Sequence, residues 1–96
     1  MKLLSSEKVL KGSWIEKDGF VQKDKVAKRI DYLIDNILIQ IGVDNSGWVK
    51  LYIDPDDKRY WELSYPESEM QGGGAPLLRN IKEEEANLKY NINKGT

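Results

Sequence analysis

The chain has 96 residues, with 15 basic and 16 acidic side chains, a formal charge of -1, no cysteine and no histidine. That length provides for one domain with a modest core, and three Trp, five Tyr and one Phe argue against disorder. Disulfides, thiolate chemistry, Cys-ligated zinc and histidine acid–base catalysis are excluded, and the even charge balance excludes polyanion binding driven by overall basicity.

No apolar run approaches the ~20 residues a membrane span needs. The start, Met1 to Ser6, lacks the apolar segment of a secretory signal, so the expected compartment is the cytoplasm. In chain order, Trp14 to Glu16 and Phe20 to Lys23 flank Asp18-Gly19, the signature of a β-hairpin. Asp24 stands at an N-cap position. Val26, Ile30, Leu33, Ile34 and Ile37 then follow at the spacing of an amphipathic helix. The end of that helix has two readings. Its spacing continues through Leu38 and Ile41 to Gly42, yet Ile37, Ile39, Ile41 and Val43 alternate as a β-branched strand does. We take a helix over 24–36 and a strand over 37–43 as the expectation.

Asp44-Asn45-Ser46-Gly47 and Pro55-Asp56-Asp57-Lys58 both read as four-residue hairpin loops closed by a left-handed residue. Gly47 fits that position freely, whereas Lys58 costs on the order of 1 kcal/mol there. Four-residue loops would place Val43 opposite Trp48, Ile39 opposite Tyr52, Ile53 opposite Tyr60 and Leu51 opposite Glu62. One sheet face then carries Ile39, Ile41, Val43, Trp48, Tyr52, Trp61, Leu63 and Tyr65 under the helix. The other carries Leu38, Gln40, Val49, Leu51, Ile53, Tyr60, Glu62 and Ser64. This second face is either covered by the N-terminal hairpin or free to bind a partner. Residues 66–76, with Gly72-Gly73-Gly74, form a loop. Leu77 to Ile81 is expected as a short edge strand, and Glu83 to Tyr90 as a terminal helix with its acids at the positive end of the dipole. The fold class expected is α+β: one domain over 1–96 with its ordered core at about 12–90, comprising a hairpin, an amphipathic helix, a three-stranded antiparallel meander and a short C-terminal helix, with a frayed tail over 91–96.

Charge is segregated along the chain. Residues 1–30 carry eight bases and four acids, net +4, whereas residues 54–71 carry six acids and two bases, net -4. The aromatics Trp48, Tyr52, Tyr60, Trp61 and Tyr65 accompany the acidic part, which opposes direct nucleic-acid binding where stacking is available. The glycine triplet lacks the Gly-Lys-Ser/Thr ending of a phosphate loop. Asp54, Asp56 and Asp57 lack calcium-loop spacing, and aspartates beside a proline are ordinary turn formers. Glu62, Glu67 and Glu69 are conceivable as paired carboxylates, but a domain this small leaves little room for a cleft besides its core. No metal, cofactor or enzymatic activity is expected.

Ser46-Gly47-Trp48, Leu51-Tyr52, Asp54-Pro55, Asp57, Arg59-Tyr60-Trp61-Glu62-Leu63, Tyr65-Pro66, Ser68-Glu69 and Gly72-Gly73-Gly74 to Pro76 together resemble the immunity protein 27 family of bacterial polymorphic toxin systems. Gly12 to Glu16 and Arg29-Ile30 extend the similarity, which covers roughly Gly12 to Tyr90. The chain departs from the family pattern at Lys58 (usually Gly), Gln71 (usually His) and Lys82 (usually a Ser-like cap). The resemblance implies a small cytoplasmic antidote that binds a toxin domain, often a nuclease, as a monomer or weak homodimer and without contacting nucleic acid or membrane. An acidic surface suits a basic toxin cleft, and the expected contact residues are Asp54, Asp56, Asp57, Arg59, Tyr60, Glu62, Glu67, Glu69 and Met70. Within that set Asp54 and Arg59 are the ones most suited to stabilising the turn instead. The alternative is a small-ligand-binding or regulatory module, with the glycine-rich loop as a lid over Trp61.

Overall fold

A computed structural model describes residues 3–66 and 74–90. The elements are β1 (Val9–Lys11), β2 (Trp14–Lys17), β3 (Phe20–Lys23), α1 (Lys25–Asn36), β4 (Ile39–Val43), β5 (Lys50–Ile53), β6 (Tyr60–Ser64), β7 (Leu77–Ile81) and α2 (Glu83–Tyr90). An antiparallel sheet of order β1-β7-β6-β5-β4 forms the centre, and β2 and β3 pair separately. The class is α+β, as expected.

The local signals act where they stand. Asp18 and Gly19 have φ of 55° and 81°, the two left-handed residues of a tight hairpin turn, and Trp14 pairs with Lys23 across it. The Asp24 carboxylate caps α1 by accepting from Ala27 N at 2.7 Å, and it also accepts from Ser13 Oγ at 2.6 Å. The helix stops at Asn36 and the strand begins at Ile39, so the reading of a helix followed by a strand holds. Ile30 and Leu33 of α1 pack with Leu10, Tyr52, Trp61, Leu63 and Leu78 on one face of the sheet.

Four expectations change. The β4–β5 ladder closes on Asp44 N donating to Val49 O at 2.9 Å, one residue later on each side than foreseen. Asp44 Oδ1 accepts from Ser46 N, Ser46 Oγ and Gly47 N, and Ser46 Oγ accepts from Trp48 N. This network keeps Trp48 inside the loop. Val43 therefore faces Lys50, and a bulge between Gln40 and Gly42 puts Ile39 opposite Ile53. Ile39, Ile41, Val43 and Trp48 are exposed rather than buried under the helix, while Leu38 joins the core on the α1 face. Second, β7 is not an edge: it lies between β6 and β1, and β1 is too short to leave a pattern in the sequence. Third, the opposite sheet face, with Leu51, Tyr60 and Ile81, is covered by Ala86 and Tyr90 of α2 rather than by the hairpin. Finally, Leu3 and Leu10 are core residues that lie N-terminal to the region expected to form the ordered core.

The β5–β6 register, by contrast, is as derived: Ile53 faces Tyr60 and Leu51 faces Glu62. Lys58 occupies the left-handed position with φ 66°. It is held there by its N–H donating to Asp54 O at 2.8 Å, with Asp54 N donating to Arg59 O at 3.0 Å.

Candidate functional site

The nine expected contact residues divide by position. Asp54 is buried, and its Oδ1 accepts from Asp56 N at 2.9 Å. Its carboxylate therefore shapes the turn from inside. Asp56 and Asp57 are exposed at the tip. Asp57 accepts from Arg59 N at 3.0 Å and from Arg59 Nε at 2.6 Å. Burial works against its charge, but these hydrogen bonds and the guanidinium beside it hold the carboxyl below its usual range.

Arg59 serves the fold in three directions. It binds Asp57, its remaining nitrogens donate to Glu7 O at 2.7 Å and Leu4 O at 2.9 Å, and its guanidinium carbon stands 4.9 Å from the Trp61 ring centroid. The fork and the stacking use the planar geometry that distinguishes arginine from lysine. The backbone it holds belongs to the segment before β1. That segment is fixed a second time by Arg29, which donates to both Glu7 oxygens at 2.6 and 2.7 Å. The Arg29 hydrogen bonds pull the Glu7 carboxyl down to about 2, against a smaller opposing effect of burial.

Glu62 lies on the α2 face, with a side chain 6% exposed. It accepts from Arg79 at 3.0 Å, Lys89 at 2.6 Å and the Tyr90 hydroxyl at 2.8 Å. Burial pushes its carboxyl upward, yet these three partners outweigh burial and hold it below its ordinary value. Burial, reinforced by the Glu62 hydrogen bond and charge, pushes the Tyr90 hydroxyl up. Arg79 also reaches Glu85 at 3.0 Å, so one network fastens α2 to the sheet. Glu62 is thereby engaged inside the molecule. Glu67, Glu69 and Met70 lie outside the described residues.

Asp56, Asp57 and half-buried Tyr60 remain at the surface. Beside them is an open groove of about 470 Å³. Lys58, Arg59, Tyr60, Asn80, Ile81, Lys82, Glu83 and Glu84 line it. The antiparallel return of β7 brings the start of α2 against the β5–β6 turn, so Glu83 and Glu84 lie near the Asp56 and Asp57 tip, among the cations Lys58, Arg59 and Lys82. In the sequence these two read as helix-dipole partners only. What could have flagged them was the pairing of Tyr60 with Ile81, a long-range register that composition does not carry. The groove offers two carboxylates, two lysine ammonium groups, the Arg59 guanidinium, an amide and a phenol ring, so its lining carries both signs of charge. No helix among the described residues is long and apolar enough to cross a membrane.

Residues 16–82 match the family model described as immunity protein 27. No curated protein and no solved structure matches the chain significantly.

Proposed function

The chain belongs to the immunity protein 27 family, and from that premise we propose that it neutralises a cognate toxin domain by binding it directly, through the surface formed by the β5–β6 turn and the start of α2. The family match over residues 16–82 carries this reading. The exposed carboxylates of Asp56, Asp57, Glu83 and Glu84 with the ring of Tyr60 supply the surface; Glu67, Glu69 and Met70, outside the described residues, are proposed as further contacts from the sequence alone. Asp54, Arg59 and Glu62 act behind that surface by fixing its backbone and α2.

A nuclease toxin presents cations where it holds phosphate, so an acidic face steers the encounter and competes for that cleft. The protein then acts by occlusion, with no chemistry of its own. Reversing the charge of Asp56, Asp57, Glu67 and Glu69 together to lysine tests this. The expected result is a dissociation constant raised at least ~10-fold, mainly through slower association, with a weaker salt dependence. A second variant, Glu83→Lys with Glu84→Lys, probes the same face without touching the turn. Unchanged affinity in both variants, with unchanged circular dichroism, places the interface elsewhere.

A further inference from the structure

The two faces of the central sheet are covered unequally. Under α1 the core draws on Ile30 and Leu33 of the helix and on Trp61, Leu63 and Leu78 of the strands, each at most 2% exposed. Under α2 it consists, among the described residues, of Leu51, Ile81 and Ala86, with Tyr60 and Tyr90 packed against them. Ala86 is the one buried residue of the eight in α2, and Leu88, two positions on, is 88% exposed. Asn87 Oδ1 is buried without a hydrogen-bond partner among the described residues, which costs the docked helix stability. What fastens α2 is therefore mainly polar. Glu62 of β6 accepts from Lys89 and the Tyr90 hydroxyl, and Arg79 of β7 donates to Glu85. Such pairs hold weakly in net terms, because the Lys89 and Arg79 side chains are 41% and 40% exposed and because water solvates Glu62, whose burial is itself costly, once the helix lifts.

We infer that α2 is a latch. It undocks from the sheet as a unit while α1 and the five strands stay folded, and the contacts of Glu62 with Lys89 and Tyr90 set how often it does so. The topology permits this, because α2 adds no strand to the sheet and the hydrogen bond from Ala86 N to Lys82 O, 3.0 Å, lies within its own first turn. Opening lays bare Leu51, Ile81 and the ring of Tyr60, an apolar face that only the closed form hides. It also carries Glu83 and Glu84 away from the β5–β6 turn. This last consequence bears on toxin binding and rests on the function proposed above; the opening itself belongs to the chain alone and is tested without a partner.

Native-state hydrogen exchange of the full chain, read by NMR, tests the latch. The amides of Ala86 to Tyr90 should exchange through one shared opening, at least ~10-fold more frequent than the opening that exposes the amides of β6. Lys89→Met, which alters only the helix side of the network, should raise the α2 opening at least ~3-fold, and so should Glu62→Gln. Ile30→Val, in the α1 core, should raise the β6 opening at least ~3-fold. It should leave the α2 opening unchanged, because α1 stays packed when α2 undocks. An α2 opening that rises with that of β6 in Ile30→Val shows one cooperative unit and overturns the inference. So does an α2 opening unmoved by both Lys89→Met and Glu62→Gln, and so do α2 amides that open at graded rates, as a fraying helix does.

Discussion

Two arginines bind the start of the chain to the rest. Arg29 grips the Glu7 carboxylate from α1, and Arg59 grips the Leu4 and Glu7 carbonyls from the β5–β6 turn. Leu3 is thereby seated in the core. The Glu7–Arg29 pair is bidentate and partly buried, with side chains 23% and 24% exposed, so it outweighs an ordinary surface pair. Glu7→Gln should cost about 1–2 kcal/mol at neutral pH. The Glu7 carboxyl is lowered from 4.5 to about 2 in the folded state. Its contribution is thus full above 4.5 and is lost as pH falls toward 2. The gap between wild type and Glu7→Gln in urea denaturation should narrow over that window; a gap independent of pH would show that the pair does not act through its charge. The same scale explains what was legible in the expected site. Residue types are visible in a sequence, but their partners are not. Glu62 reads as one more acid in an acidic stretch, and only the fold brings Arg79, Lys89 and Tyr90 around it.

Elements set by neighbouring residues were readable. The Asp18-Gly19 hairpin, the Asp24 cap, α1, the left-handed Lys58 and α2 all follow from local chemistry. The β4–β5 register did not follow, because two loop closures one residue apart share the same Asp-Asn-Ser-Gly signal, and the Asp44 and Ser46 side chains decide between them. β1 did not follow because three residues carry no period and their partner, β7, is more than 60 positions away in the chain. Packing between elements also gives Gly12 a purpose. A Cβ there would stand 2.9 Å from Ala27 Cβ and 3.0 Å from Pro76 O, where the chain passes α1 and receives the Gly12 N to Pro76 O hydrogen bond of 2.9 Å. Gly12→Ala should lower stability by about 1–3 kcal/mol, seen as a reduced urea midpoint at unchanged slope. An unchanged midpoint would mean that α1 and the Pro76 strand entry yield without cost.

At the scale of the whole molecule, α1 and α2 occupy opposite faces of the sheet, leaving the β5–β6 turn, the β2–β3 hairpin and the β4 edge open. The β5–β6 turn and the start of α2 share one end, and in the proposed mode of binding the Asp56 and Asp57 carboxylates are presented by a turn already fixed by its own hydrogen bonds. That preorganisation favours tight association, since little ordering remains to be done on binding. The direct test is a calorimetric titration of the full chain against the cognate toxin domain proposed for it, folded and catalytically inactivated. Saturable one-to-one binding, with a dissociation constant on the order of 10⁻⁸ M or tighter, is the predicted result. The absence of binding between two correctly folded proteins would contradict the account and leave family membership as a statement about fold.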